Sequence, residues 1–271
     1  MNLENMIHKN LLRWNEITSI HEKSAFYDVA QFKAGACTLK SIELEEVDDV
    51  KGKSLLHLQC HFGLDTLSWA RLGARVTGID LSDEAVTLAQ SLNDELGLDA
   101  RFICSDVYKT PAALNHEKFD VVFTSYGVLC WLADIEAWAR IISDCLKPGG
   151  TFFIAEGHPV ENILEWDNEA LKVAYPYFDP EPIECSSETS YADRTTKVSN
   201  TDTYQWQHSL GSIVCALIDA GLTIESLKEY PFSSYEKYPG YMELCEDGWW
   251  RFKSKELNAP LLFSIKATKT K

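Results

Sequence analysis

The chain has 271 residues, of which 45% are hydrophobic and 24% charged, so it can bury a large α/β core and is not globally disordered. Its formal net charge of −16 argues against nucleic acid or an anionic membrane as the main partner and favours small-molecule work. Uncharged runs such as residues 121–133 fall short of the roughly 18 apolar residues a membrane span needs.

Residues 1–50 read as mainly helical and amphipathic, a cap ahead of a main domain at 51–271. The start has no long apolar core and no small-residue cleavage site, so no signal peptide is expected. A cluster of His21, Ser24, Phe26 and Tyr27, followed by Phe32-Lys33-Ala34-Gly35, carries more chemistry than a cap requires. Two readings stay open for it: a helical flap over a ligand, with Tyr27 on the ligand side, or packing of an N-terminal helix on a sheet.

From residue 53 the pattern alternates. Leu55, Leu56 and Leu58 form a short apolar run that stops at Gln59-Cys60-His61-Phe62-Gly63. Asp65 and Thr66 open a helix that Gly73 closes, and residues 76–79 form the next strand, ending on Asp80. Such a strand–turn–helix–strand unit with a terminal carboxylate is a nucleoside-binding device, because the carboxylate accepts from both ribose hydroxyls. Ser82 caps the following helix, which runs to about Leu96-Gly97. Residues 100–104 and 119–124 are the third and fourth strands, followed by Ser105-Asp106 and by Ser125-Tyr126-Gly127. A helix from Ile135 ends at Lys147-Pro148-Gly149-Gly150, read as a helix stop and turn. Residues 151–155 are a fifth strand, followed by Glu156-Gly157-His158-Pro159.

This alternation predicts a Rossmann-like, doubly wound, mostly parallel sheet of seven strands. Its strand-end turns converge at one edge. Residues 158–207 break the rhythm as an inserted substrate cover, with short strands near 183–191 and 197–206. A helix at 209–220 and strands at 223–229 and 261–267 follow, the strands joined by an aromatic loop.

Eight cysteines occur without a C-x-x-C pair, and Cys104, Cys130, Cys145 and Cys215 lie in apolar runs. Reduced, buried thiols in a cytoplasmic protein are the expectation. His57, Cys60 and His61 are close in sequence, but no second cluster with ligand spacing accompanies them, so no metal is expected.

The segments LLHLQCHFG, GIDLS, ICSDV and a run ending LKPGG together resemble the class I S-adenosylmethionine-dependent methyltransferases over residues 53–158. The usual turn of that family is an acid, a residue, then Gly-x-Gly-x-Gly. Here His57 stands at the acid, Gln59 and His61 at the first two glycines, and Gly63 remains, similar to the HxQCHxG turn of a bacterial subset. The resemblance implies S-adenosylmethionine as cofactor. The backbone from Leu58 through Gln59 and Cys60 to Gly63 would line its methionine part, and Asp80 would hold the ribose. Leu81 would lie on the adenine, with Asp106 and the Val107 N–H on its polar edge beside Ser105. Ser125 and Tyr126 would flank the sulfonium. It further implies methyl transfer to an O, N or S nucleophile of a small molecule. By position, Glu156 and His158 at the end of the fifth strand are the first candidates for a base, and His208 at the start of the last helix is a further one. Two other classes remain open: a nicotinamide-dependent oxidoreductase, opposed by the side chains at Gln59 and His61, and a catalytically silent S-adenosylmethionine-binding protein. The oligomeric state is not legible.

Overall fold

The computed structural model describes residues 1–166, 170–179 and 181–270. Three helices come first: α1 (Leu3–Lys23), α2 (Val29–Lys33) and α3 (Ser41–Glu46). Strands and helices then alternate through β1 (Ser54–Leu58), α4 (Leu64–Arg71), β2 (Arg75–Asp80), α5 (Asp83–Leu96), β3 (Ala100–Cys104), α6 (Thr110–Ala113), β4 (Phe119–Ser125), α7 (Ile135–Cys145) and β5 (Leu146–Gly157). After the short α8 (Pro159–Asn162), the insertion holds two antiparallel strand pairs: β6 (Leu164–Trp166) with β7 (Leu171–Val173), and β8 (Ile183–Ser186) with β9 (Asp202–Gln205). Helix α9 (Leu210–Asp219), β10 (Leu222–Tyr230), the pair β11 (Met242–Leu244) and β12 (Trp250–Phe252), and β13 (Leu262–Lys269) follow.

The helix starts obey local chemistry. The Ser82 hydroxyl accepts from Ala85 N at 3.1 Å, the Asp134 carboxylate from Ala137 N at 2.8 Å, and the Ser209 hydroxyl from Ser212 N at 3.0 Å. Each such cap is worth about 1 kcal/mol. Helix α5 stops at Gly97, whose left-handed backbone (φ 61°) turns the chain toward β3.

The main sheet has seven strands in the order β10-β13-β5-β4-β1-β2-β3. The five strands from β5 to β3 are parallel, and β13 runs antiparallel between β5 and β10. This is the predicted Rossmann-like, mostly parallel architecture. Alternation along the strands divides the core. Leu56, Leu58, Val122, Phe152 and Ile154 pack with Trp138 and Ile142 of α7 and Leu217 of α9. Leu55, Val121, Phe123 and Phe153 face the opposite layer, with Trp69 of α4 and Ile42 of α3.

Two sequence expectations are corrected. Residues 147–150 are not a turn ahead of the fifth strand: they belong to β5, which starts directly after α7 and is irregularly paired near Asp120. There Lys147 Nζ lies 2.9 Å from Asp120 Oδ1, and Asp120 Oδ2 accepts from the backbone N and hydroxyl of Ser54. The thiols are not uniformly buried either: Cys145 is buried and Cys130 half-buried, whereas Cys104 and Cys215 are exposed.

The two readings of residues 1–50 divide between its helices. Helices α2 and α3 pack into the sheet layers, through Phe32 against Phe62 and Leu67 and through Ile42 against Leu55. Helix α1 instead rides over the strand ends, bound to the insertion. The Asn10 side chain exchanges two hydrogen bonds with the Tyr204 backbone, at 2.7 and 2.8 Å. The buried Arg13 guanidinium donates to the carbonyls of Ser187 and Asn200, each at 3.1 Å, and of Thr189 at 2.5 Å. Glu16 accepts from Ser199 N and Asn200 N at 2.6 and 2.7 Å. Helix α1 and the β8–β9 segment therefore form one roof.

Candidate active site

Beneath that roof lies a cavity of about 1000 Å³, at the upper end of the range for ligand sites. Its floor is the set of strand-end turns that right-handed crossovers gather at one edge. Gln59, Cys60 and Gly63 follow β1, Asp80 and Leu81 end β2, Ser105, Asp106 and Val107 follow β3, and Ser125 and Tyr126 end β4; all of them line it. Tyr27 lines it from the N-terminal side. Leu58 does not: its side chain is buried in the α7 layer, and its carbonyl accepts from the Thr124 hydroxyl at 3.1 Å.

The turn after β1 keeps a glycine-type backbone without the glycines. Gln59 (φ 56°) and His61 (φ 49°) both occupy the left-handed region, as does Gly63 (φ 80°). Holding non-glycine residues there costs about 1–2 kcal/mol each. The surroundings enforce the shape. Gln59 Nε2 donates to Val128 O at 3.0 Å, and His61 N donates to Asp80 Oδ2 at 2.7 Å. A Cβ added at Gly63 would lie 2.6 Å from the Phe102 ring, so any replacement there must displace that ring as well as strain the turn.

Asp80 is anchored on both oxygens, with Ser82 N donating to Oδ1 at 2.9 Å. A carboxylate has about four acceptor sites, so two remain to face the cavity. Burial pushes its pKa up, against the backbone N–H groups that favour the anion. Asp106 accepts from Tyr108 N at 2.9 Å through Oδ1 and lines the same cavity, so the two carboxylates share one site. At the other end of the turn, Asp65 accepts from the hydroxyls of Thr38 (2.5 Å) and Ser125 (3.2 Å). Tyr126 donates to Glu43 at 3.1 Å, and burial raises this fully enclosed carboxyl to about 7.

Of the two residues expected to act as base, Glu156 lines the cavity and His158 does not. Glu156 is buried and accepts four backbone N–H bonds: Gly127 (2.5 Å) and Gly157 (2.6 Å) on Oε1, Val128 (2.7 Å) and Leu129 (3.1 Å) on Oε2. With its acceptor sites filled, it clamps the loop after β4 and has none left for a substrate proton. His158 lies outside the cavity lining. Its Nδ1 caps α8 by accepting from Val160 N at 3.1 Å, and its Nε2 lies 2.9 Å from Glu229 Oε1. His208 does line the cavity, with Nε2 bonded to Leu132 O at 2.7 Å, and burial lowers its pKa.

His57, Cys60 and His61 point to different partners. His57 Nδ1 bonds the Thr66 hydroxyl at 2.8 Å in the α4 layer, and burial lowers its pKa to about 3. His61 Nε2 meets His21 Nδ1 of α1 at 2.9 Å, and His21 Nε2 meets the Ser190 hydroxyl at 2.5 Å. Burial, with Arg13 nearby, holds His21 near 3, so both nitrogens of a neutral ring are used in this chain. Tyr27 bonds Tyr191, and Trp14 stands edge-on to His61 at 5.2 Å, so turn, cap and insertion meet in one aromatic cluster.

The flap reading of residues 1–50 did not name the face that α1 presents: Ile7, Asn10, Leu11 and Trp14 line the cavity at the i, i+3, i+4, i+7 spacing of one helix face. Sequence reasoning missed Glu161 and Lys237, which meet from α8 and the aromatic loop with Nζ 3.3 Å from Oε2. No local pattern announces that pair, since 76 residues separate the partners.

Residues 56–154 match the family model for a methyltransferase domain. Among curated relatives, the chain is 32% identical over 111 residues to the ubiquinone biosynthesis O-methyltransferase of Proteus mirabilis, covering 41% of this chain and 44% of that one. It is 35% identical over 120 residues to the protein of the same name from Xanthomonas euvesicatoria, covering 43% and 49%. It thus spans about half the length of the curated relatives it matches. An S-adenosylmethionine-dependent methyltransferase structure from Mesorhizobium loti superposes with a TM-score of 0.60 at 20% identity, over 88% of this chain and all of that one (100%). That likeness is one of fold: the two chains share a Rossmann-like, mostly parallel sheet. No helix among the described residues is long and apolar enough to cross a membrane.

Proposed function

We propose that this protein is an enzyme that transfers a methyl group from S-adenosylmethionine to a nucleophile on a small molecule. The observation that carries the reading is the meeting of Asp80 and Asp106, from two different strand ends, in one roofed cavity behind a left-handed turn. The curated relatives carry O-methyltransferase names, which favours oxygen as the acceptor atom. The HxQCHxG turn would then mark a subset in which ordinary side chains hold the glycine geometry.

The residues present fit the cofactor. Asp80 has acceptor sites left for a ribose diol, and Asp106 Oδ2 is available to an adenine amino group. Gln59 Oε1 and His61 Nδ1 are buried without partners among the described residues, at the turn where the methionine part would lie. The carboxylates of Asp65, Asp80 and Asp106 outnumber the nearby Lys40 among the lining groups, an environment that favours a cationic ligand.

A bound sulfonium supplies an already activated methyl group. The protein's task is alignment and exclusion of water. The β4 loop, clamped by Glu156, would hold the donor end from one side, while the α1–insertion roof closes the site. A nicotinamide cofactor is opposed by the side chains of Gln59 and His61, where a pyrophosphate requires close backbone approach. A cytoplasmic location, a cap at 1–50 with a substrate cover at 158–207, and a small-molecule acceptor complete the proposal.

Calorimetry with S-adenosylhomocysteine and with NAD tests it. Micromolar binding of the first and none of the second is expected. Binding of NAD alone refutes the reading. Binding of S-adenosylhomocysteine, with no turnover of any acceptor in a broad hydroxyl, amine and thiol panel, moves the protein to the silent binding class.

A further inference from the structure

We infer that Glu161 is the base that takes the acceptor's proton, and that the acceptor is an aromatic hydroxyl compound. The inference rests on the methyl-transfer reading above. Four observations of the far end of the cavity carry it.

First, Glu161 is 3% exposed yet lines the cavity, and its Oε1 has no hydrogen-bond partner among the described residues. A buried, unpaired carboxylate oxygen is costly, and such a group calls for an explanation. Second, the carboxylate is built into place. Lys237 Nζ lies 3.3 Å from Oε2 and also donates to the Glu161 carbonyl, to which the Tyr238 hydroxyl donates at 3.3 Å. Third, it stands directly beyond the end of β5. A Cβ at Gly157 would come within 3.1 Å of Glu161 Oε2, so the glycine keeps room for this side chain beside the loop that Glu156 holds. Fourth, the other candidates are committed elsewhere. Glu156 is saturated, His158 is outside the lining, His208 lines the cavity but is tied to Leu132 O at 2.7 Å with its basicity lowered by burial, and burial pushes the Cys130 thiol far up.

Tyr235 stands close to Glu161, and Trp206 and Trp250 line the same cavity. Flat apolar walls with one carboxylate suit a planar, neutral ring bearing a hydroxyl. A phenol is a weak nucleophile until its proton leaves, which gives the base a task. In the step, the hydroxyl oxygen forms a bond to the methyl carbon. The carbon–sulfur bond pair returns to sulfur, which becomes a neutral thioether. The hydroxyl proton passes to Glu161 Oε1 and from there to solvent. Burial and the facing Glu156 raise the carboxyl's pKa, while Lys237 lowers it; Tyr235 and Tyr238 are the titratable groups of the aromatic loop close to it. A carboxyl with a raised pKa is a better match to a phenol than an ordinary one.

The test uses 4-nitrophenol, whose visible band reports its ionisation, bound to the full chain saturated with S-adenosylhomocysteine. The wild type is expected to bind it with the phenolate band enhanced over free solution at the same pH. Glu161→Gln should keep its S-adenosylhomocysteine affinity within threefold, weaken 4-nitrophenol at least tenfold and abolish the enhancement. Lys237→Met, which leaves the base but removes its cation, should move the ionisation midpoint in the site to higher pH. An enhancement that survives Glu161→Gln overturns the assignment of the base; if that variant does not fold, an unmoved midpoint in Lys237→Met does so. A wild type that binds S-adenosylhomocysteine but not 4-nitrophenol overturns the acceptor class. Failure of the wild type to bind S-adenosylhomocysteine overturns the underlying methyl-transfer reading instead.

Discussion

Asp80 offers the sharpest perturbation, because it has two separable tasks. Its carboxylate clamps the turn after β1 by accepting from His61 N at 2.7 Å and Ser82 N at 2.9 Å, and its remaining acceptor sites face the cavity. In Asp80→Asn the side chain keeps its shape, but one oxygen becomes an NH₂ group that cannot accept. One backbone N–H loses its partner, at a stability cost of roughly 1–3 kcal/mol. A ribose diol bound there would exchange a bifurcated, charge-assisted pair of bonds for one bond to a neutral oxygen, a loss of roughly 2–3 kcal/mol of affinity. At 1.4 kcal/mol per factor of ten, S-adenosylhomocysteine should bind roughly 30- to 150-fold more weakly. Calorimetry at a temperature where the variant is fully folded, paired with thermal unfolding without ligand, separates the two tasks. A lowered Tm with affinity unchanged within threefold would show that Asp80 only clamps the turn, and the ribose placement would be wrong.

Two further outcomes are expected. Glu43 is held near 7 in the folded protein, against an ordinary 4.5, so the native state keeps a proton that the unfolded chain releases. Its contribution therefore falls as pH rises from about 4.5 to 7, by roughly 3 kcal/mol in total. Denaturant unfolding of Glu43→Gln should lack this component; identical pH slopes in variant and wild type between 4.5 and 7 would contradict the burial argument. Arg13→Ala should leave three insertion carbonyls without their donor and cost roughly 2–4 kcal/mol, loosening the roof while the sheet stays intact. Limited proteolysis should then cut within residues 186–201, and a wild-type cleavage pattern would show that the insertion does not depend on α1.

Much of this architecture is a consequence of local chemistry. Ser82, Asp134 and Ser209 can satisfy helix N–H groups only from the cap position, and a short, largely apolar run such as residues 121–123 suits a strand buried on both faces. Once strands and helices alternate, handedness brings Gln59, Asp80, Asp106 and Ser125 to one edge, so the floor of the cavity was readable from residue order. The glycine-poor turn was readable as a departure, but its left-handed backbone at Gln59 and His61 is imposed by Val128 and Asp80, which lie 69 and 19 residues away.

What a side chain does once it reaches that edge depends on which donors meet it, and these come from distant segments. Glu156 and Glu161 are both buried acids near the end of β5, and nothing in their sequence context separates them. Four backbone N–H groups close on the first, while the second keeps one buried oxygen without a partner among the described residues, beside a lysine 76 residues away. His158 follows the same strand but turns away to Glu229. Secondary structure and the common edge follow from interactions within a few residues. The allocation of hydrogen bonds among buried polar groups is a property of the packed whole, because an acceptor's availability is what remains after every neighbour has been counted.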